Sequence, residues 1–291
     1  MKCEIYNQDC VEFLRSYTNN DINLTFLDPP FNQGKDYRNH DDKMSEDAYW
    51  DWMKTVCDLV YKKSSEGASI YFMQREKNVD HVLSALESTG WTFQNLIVWK
   101  KLSSAVPNTY RFGKNYQIIA FFTKGERPYV FNHLRIDPPL LVTQKYKRTN
   151  GLYVTDVWED IREMTSGYFA GDEPLRDSSG NRFHNQQSPI HLLLRIILSS
   201  TKINDIVFDP FAGTGTTLLT SYQLKRNSFG TEIDPINVER IKERLSILRP
   251  SDNVEQYRKY YRFTENLDSI WPIFVNDEDS KFDTLQPKLI N

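Results

Sequence analysis

Two hydrophobic rhythms alternate along the chain. Short apolar runs rich in β-branched and aromatic residues predict strands at Cys3–Tyr6, Leu24–Leu27, Ser69–Met73, Thr92–Trp99, Ile118–Thr123, Asp205–Phe208 and Ser228–Thr231. Between them apolar residues recur at helical spacing. Ala48, Trp52, Val56, Leu59 and Val60 predict a helix over Ser45–Lys63, and Val79, Val82, Leu83 and Leu86 one over Asn78–Ser88. Leu192, Leu193, Ile196 and Ile197 behind Pro189 predict a core-facing helix to Ser200. Leu218–Leu224 is helix-like, and Asp234–Leu248 reads as a helix stopped by Pro250. Strands and helices in alternation predict a layered α/β domain.

The rhythm fails from Gly125 to Phe183, where Pro128, Pro138, Pro139 and Pro174 interrupt a run of polar and aromatic residues. An inserted irregular region is expected there. From Ser251 onward Tyr257, Tyr260, Tyr261, Phe263 and Trp271 mix with charges and carry no assignable chemistry. The expected organisation is therefore two halves of one domain, 1–124 and 184–250, an insertion at 125–183 and a C-terminal tail at 251–291.

Composition narrows the class. With 39% apolar and 26% charged residues over 291 positions, the chain can bury a core, which excludes a disordered or fibrous protein. Cys3, Cys10 and Cys57 are odd in number and lack metal-ligand spacing, so neither a disulfide framework nor a zinc site is expected. His40, His81, His133, His184 and His191 show no such spacing either. No apolar run approaches the roughly 18 residues of a membrane span, and the first residues lack a signal-peptide pattern. A cytoplasmic protein with no membrane partner is the expectation.

The net charge of −3 conceals a local field: Asn95–Asn150 holds ten Lys or Arg against two acids. Tyr110, Phe112 and Tyr116 interleave with these cations, a combination suited to nucleic acid.

Two segments carry chemistry. Asp209-Pro210-Phe211-Ala212-Gly213-Thr214-Gly215-Thr216-Thr217 joins a strand to a helix through small residues, a geometry that lets backbone approach a ligand. Glu232 ends the next strand, where it can accept hydrogen bonds from ribose hydroxyls. No Lys follows the glycines, which excludes a P-loop, and Leu218 stands where a dinucleotide fingerprint has its third glycine. A nucleoside without a pyrophosphate remains. The second segment, Asp28-Pro29-Pro30-Phe31, breaks a strand with two prolines that lack N–H donors. It presents only acceptors, the Asp28 carboxylate and nearby carbonyls, beside an aromatic face. That set suits an exocyclic amino group on a base.

Together these segments resemble the amino-group DNA methyltransferases that use S-adenosylmethionine, in the β order where the catalytic tetrad precedes the cofactor turn. The resemblance covers about four fifths of the chain. It implies a doubly wound, mostly parallel Rossmann-like sheet with a target-recognition insertion. Asp28-Pro29-Pro30-Phe31 corresponds to the catalytic motif, and Asn7-Gln8-Asp9-Cys10 to the adenine-holding segment, with Asp9 as acceptor. Asp209, Pro210, Phe211, Gly213, Thr214, Gly215 and Thr216 correspond to the methionine-binding turn, and Glu232 with Ile233 to the ribose motif. The family often has His-Pro-Thr-Gln-Lys-Pro where this chain has His184-Asn185-Gln186-Gln187-Ser188-Pro189. Gln187 and Ser188 are left there as donors for the cofactor.

The implied reaction is direct methyl transfer to adenine N6 of a flipped base in double-stranded DNA. Cytosine N4, which offers the same donors, is the alternative. Methylation of RNA or of a glutamine amide, and a noncatalytic DNA-binding subunit, are further readings. Lys35, Arg38, Lys100, Lys101, Arg111, Lys114, Lys145, Lys147 and Arg148 are the expected phosphate contacts, and Asn32–Asp42 is expected to form a mobile flap. A cognate restriction endonuclease and a second copy of the chain are partners that the family admits.

Overall fold

The computed structural model describes residues 1–32, 36–37, 40–41, 44–101, 109–137, 149–164, 171–176, 179–180 and 187–272. Among them, the chain order is β1 (Cys3–Tyr6), α1 (Cys10–Ser16), β2 (Ile22–Leu27), a hairpin of β3 (Asp36–Tyr37) and β4 (His40–Asp41), α2 (Glu46–Lys63) and β5 (Ser64–Gln74). There follow α3 (Val79–Glu87), β6 (Trp91–Lys100), β7 (Tyr116–Lys124), β8 (Arg135–Ile136), β9 (Leu152–Tyr153) and β10 (Val157–Trp158). The last part runs α4 (Ile190–Ser200), β11 (Ile206–Asp209), α5 (Thr216–Gln223), β12 (Asn227–Thr231), α6 (Pro235–Ser246), two 3-10 segments and α7 (Leu267–Ile270). Apart from its hairpin and Asn32, the expected flap lies outside the described residues.

Eight strands form one sheet in the order β1-β12-β11-β2-β5-β7-β6-β10. Of these, β7 alone runs against its neighbours, β5 and β6; the other pairings among the described strands of the sheet are parallel. The expected doubly wound, mostly parallel sheet is therefore the observed one.

Alternating side chains supply both faces of the sheet. Phe26, Tyr71, Met73, Ile119 and Phe121 pack with α4 on one side. Leu27, Ile70, Phe72, Ile118, Phe122 and Phe208 pack with α1, α2 and α3 on the other. Burial on both faces is why the central strands read as near-continuous apolar runs.

Local chemistry fixes the helix starts beside the sheet edge. Asp9 caps α1 by accepting from Val11 and Glu12 N–H at 2.8 and 3.1 Å. Asp234 caps α6 by accepting from Ile236 N–H, with Pro235 in the first turn.

Residues 251–272 pack onto the domain. Tyr261 and Trp271 are buried in the core that α4 covers. The buried Arg226 guanidinium ties this end down by donating to the Ile270, Leu224 and Thr201 carbonyls. No helix among the described residues is long and apolar enough to cross a membrane.

Candidate active site

Strands β2 and β11 lie side by side and parallel, pairing Leu24 with Val207 and Thr25 with Phe208. The chain leaves β2 into the Asp28 bend and leaves β11 into the glycine turn, so both emerge at one sheet edge, about 5 Å apart across the ladder. In a parallel sheet the crevice beyond the carboxyl ends of the strands is where ligands bind. Two segments 180 residues apart in sequence thus become neighbours.

Helix α2 touches both. The Tyr49 hydroxyl donates to the Pro30 carbonyl at 2.8 Å and accepts from Gln74 Nε2 at 3.0 Å. One turn along, Trp52 meets Phe211 of the glycine turn edge to face, centroids 5.6 Å apart. The Pro30 carbonyl is thereby spent on the scaffold. Among the described residues, nothing donates to the Pro29 carbonyl.

From the opposite face of the sheet, the Ser188 hydroxyl donates to Asp28 Oδ2 at 2.8 Å. Ser188 stands just ahead of α4, whose Ile190 N–H donates to Glu173 at 2.7 Å. Gln187 is held by the same segment: its amide accepts from Leu175 N–H and donates to the Glu173 carbonyl. Both residues expected at the cofactor therefore have other partners. Phe31, expected as an open stacking face, is only 6% exposed in this structure.

The glycine turn is pinned from within. Asp209 is buried, accepts from Phe211 N–H at 2.9 Å and bonds Thr217, and burial pushes its carboxyl up to about 6. The Pro210 carbonyl accepts from Thr231 Oγ1 at 2.7 Å. Arg244 of α6 donates to the Thr214 carbonyl and to Thr216 Oγ1 at 2.9 and 3.0 Å, and is itself paired with buried Asp252. Asp209, Pro210, Thr214 and Thr216 thus brace the turn.

The open side belongs to the glycine and to the acid. Gly213 has φ +53°, and a Cβ built there would have its nearest neighbour 3.7 Å away. Gly215, at φ +73°, would instead drive a Cβ to 2.8 Å from Ile241, so its missing side chain serves helix packing. Glu232 accepts from Gly213 N–H and Asp234 N–H, both at 2.9 Å, and burial raises its carboxyl above the usual range. Ile233 beside it is exposed, and Asn7 holds the Glu232 and Ile233 carbonyls at 2.9 and 3.1 Å. Cys10 is buried in the core, whereas Asp9 sits at the edge as the α1 cap. The cradle is open at Gly213 and flanked by a carboxylate with spare lone pairs, which fits a ligand carrying neighbouring hydroxyl groups.

The expected phosphate contacts divide. Arg111 is exposed beside Tyr110 and Phe112, which are 91% and 99% exposed where the chain enters β7. Lys100 pairs with Glu159 at 3.1 Å, and Lys114 pairs with Glu76. Lys101 departs from expectation: it is half-buried, with its ammonium over the Trp99 ring, 3.0 Å from the centroid. Lys35, Arg38, Lys145, Lys147 and Arg148 lie outside the described residues. Sequence reading missed Tyr49, Trp52, Gln74 and Arg244, because their contacts with the site arise only on folding. Asn7 opens the segment read as adenine-holding, but its hold on the Glu232 and Ile233 carbonyls was not foreseen. No group of metal-ligating side chains occurs among the described residues.

An acceptor-only bend beside a glycine cradle, at the carboxyl edge of a doubly wound sheet, defines a nucleoside-using group-transfer protein. A family model described as DNA methylase matches residues 22–243, and the chain belongs to this N6/N4 DNA methylase family. It is 33% identical over 258 residues to the Type II methyltransferase M.BamHI of Bacillus amyloliquefaciens, covering 83% of this chain and 56% of that protein. It thus spans little more than half of that relative's length. To M.HpaI of Haemophilus parainfluenzae it is 27% identical, covering 86% of this chain and 77% of that protein.

Among solved structures, M1.HpyAVI in complex with SAM superposes with a TM-score of 0.57 at 20% identity, covering 84% of this chain and 99% of the other. The PvuII cytosine-N4-specific DNA methyltransferase gives 0.61 at 17% identity, covering 90% and 93%. These likenesses show a shared fold.

Proposed function

We propose that this chain methylates the exocyclic amino group of a base flipped out of double-stranded DNA, adenine N6 first, using S-adenosylmethionine. When bound, that cofactor supplies a methyl group on a sulfonium sulfur. Gly213 would give it close backbone approach, Glu232 would accept from its ribose hydroxyls, and Asp9 and Ile233 would flank its adenine. The single observation that carries the reading is that the acceptor bend and the glycine cradle leave adjacent parallel strands and are bridged by α2.

The chain's own chemistry follows from that placement. An aromatic amine is a weak nucleophile because its lone pair is delocalised into the ring. Two acceptors on its hydrogens, Asp28 and the Pro29 carbonyl, favour a pyramidal nitrogen whose lone pair points toward the cradle. As the N–C bond formed, the bond from the methyl carbon to the sulfonium sulfur would break, its electron pair leaving on a neutral thioether, and the nitrogen would shed a proton that Asp28 is placed to take. Alignment of this kind is worth about 7–11 kcal/mol in general and needs no covalent enzyme intermediate. Phe31 contributes as a packed wall of the base pocket.

Region 125–183 would read the target sequence, and Tyr110, Arg111 and Phe112 would meet the duplex beside the pocket. Cytosine N4 fits the same acceptors. A cognate endonuclease and a homodimer are partners compatible with a Type II modification enzyme of the cytoplasm. Sequencing DNA from a host expressing the protein, with a method that reports modified bases, tests the proposal. It predicts N6-methyladenine, or N4-methylcytosine, in one sequence context. DNA without amino-methylated bases would refute it.

A further inference from the structure

Asn32 leaves the Asp28-Pro29-Pro30-Phe31 bend with φ +50°, a left-handed backbone that is costly for any residue with a side chain. Its Nδ2 donates at 2.8 Å to the carbonyl of Met44, twelve residues along the chain. Met44 immediately precedes Ser45, whose hydroxyl caps α2 by accepting from Ala48 N–H at 3.3 Å. The bond to Met44 fixes the orientation of the amide, since a flip would set one oxygen against another. The Asn32 Oδ1 atom is thereby left buried, and among the described residues nothing donates to it. A left-handed turn and an orphaned buried oxygen are two costs at one residue, and glycine would remove both. Asn204 and Lys225 are left-handed as well, but they stand where the chain enters β11 and β12, at the edge of the sheet away from the bend.

What the two costs secure is a second anchor. The Pro30 carbonyl is already held by the Tyr49 hydroxyl of α2 at 2.8 Å. One hydrogen bond fixes a point and leaves rotation about it, whereas two, on either side of Phe31, fix a direction. Phe31 lies between them, packed and only 6% exposed. Strain that the fold could shed with a glycine, next to residues that hold a substrate, points to a role in function.

We propose that Asn32 is a positioning residue: its amide latches the exit of the bend to the start of α2 and, with Tyr49, aims Phe31 and the acceptors ahead of it at the base. The inference rests on the reading of this bend as the amine holder. Stability and activity then part company at position 32, because losing the latch frees the bend while it relieves the strain and removes the orphaned oxygen.

Thermal unfolding, calorimetric cofactor titration and single-turnover methyl transfer from labelled S-adenosylmethionine to duplex DNA, all at pH 8 on the parent, N32G and N32D, test it. N32G keeps the left-handed turn without the latch. Its Tm should stay within about 3 °C of the parent's and its cofactor Kd within about twofold, while its transfer rate falls about tenfold or more. N32D keeps the turn and an oxygen, but an ionised carboxylate cannot donate to the Met44 carbonyl, so it should be at least as slow. A parent-like rate in N32G overturns the proposal. So does an N32G that loses Tm or cofactor affinity together with rate, the behaviour of plain scaffold. A slow N32G beside a parent-like N32D also overturns it, because the oxygen rather than the amide hydrogen would then be what counts. Hydrogen exchange at Ala48 and Tyr49, in the first turn of α2, reads the latch without any activity: it should quicken in both variants, and unchanged exchange refutes the latch. A parent that leaves DNA unmethylated would remove the reading of the bend itself, a failure distinct from that of Asn32.

Discussion

Tyr49→Phe isolates the link between helix packing and chemistry. The substitution removes one oxygen that donates to the Pro30 carbonyl at 2.8 Å and accepts from Gln74 Nε2 at 3.0 Å. The ring stays, with its edge contacts to Trp50 and Trp52 at 5.0 and 5.9 Å, so no cavity opens. Tyr49 and Gln74 are buried, so a buried acceptor and a buried donor lose their partner together, at a cost of about 2 kcal/mol. For a chain of this size that is a fall of roughly 4 °C in Tm.

The effect on rate should be larger in proportion, because the Pro30 carbonyl anchors the bend that aims Asp28 and Pro29. A misplacement of about 1 Å at a reacting group costs on the order of 100-fold. We therefore expect a 10- to 100-fold lower single-turnover rate, with the cofactor Kd within about twofold because the glycine turn is untouched. Differential scanning calorimetry, calorimetric cofactor titration and rapid-quench transfer assays measure the three quantities. A Y49F protein with the parent's transfer rate would refute the argument that α2 aims the bend.

Three further outcomes follow from the same contacts. Asp209 titrates near 6 in the fold, above an unfolded value of about 4, so its stabilising effect is full below pH 4 and lost as pH rises through 6. In urea titrations at pH 4 and 8, parent stability relative to D209N should drop by roughly 3 kcal/mol toward alkali; an unchanged difference would contradict the assignment. Glycine substitutions should separate ligand from scaffold. G213A should cost about 1 kcal/mol of stability, from its left-handed backbone, yet weaken cofactor binding strongly in calorimetry; G215A should mainly lower Tm, because its Cβ meets Ile241. D252N should lose about 3–5 kcal/mol by stripping the buried Arg244 of its counter-charge, and unfolding curves matching the parent would dismiss that role.

Much of the fold was legible because burial on both faces of the sheet leaves dense apolar runs, and all seven expected strands form. The expected helices at 45–63, 78–88, 189–200 and 234–248 also form, shifted by a residue or two at their ends. Helix α1 escaped because it spans only Cys10–Ser16, too short for a period to declare itself, although its Asp9 cap was in view. Strand β5 starts at Ser64 rather than Ser69 because Gly67, with φ +74°, admits the Tyr129 backbone against it, a contact that no local pattern reveals.

The site divides the same way. Asp28, Gly213 and Glu232 stand in motifs whose composition is chemically odd and therefore visible. Tyr49 and Trp52 reach the site from α2, so their spacing carried no signal, and Ser188, expected at the cofactor, donates to Asp28 instead. The C-terminal segment was opaque for a related reason. Its role in bracing the glycine turn runs through an Asp252–Arg244 pair whose charges read, in sequence, as ordinary surface.

The most direct test is to incubate the protein with duplex DNA and S-adenosylmethionine carrying a trideuterated methyl group, digest the DNA to nucleosides and weigh them. The parent should yield a nucleoside three deuterium atoms heavier than its natural N-methylated form, with the label on the exocyclic nitrogen, and D28A, still able to bind cofactor, should yield none. Label on a ring carbon, or undiminished transfer by D28A, would contradict the account.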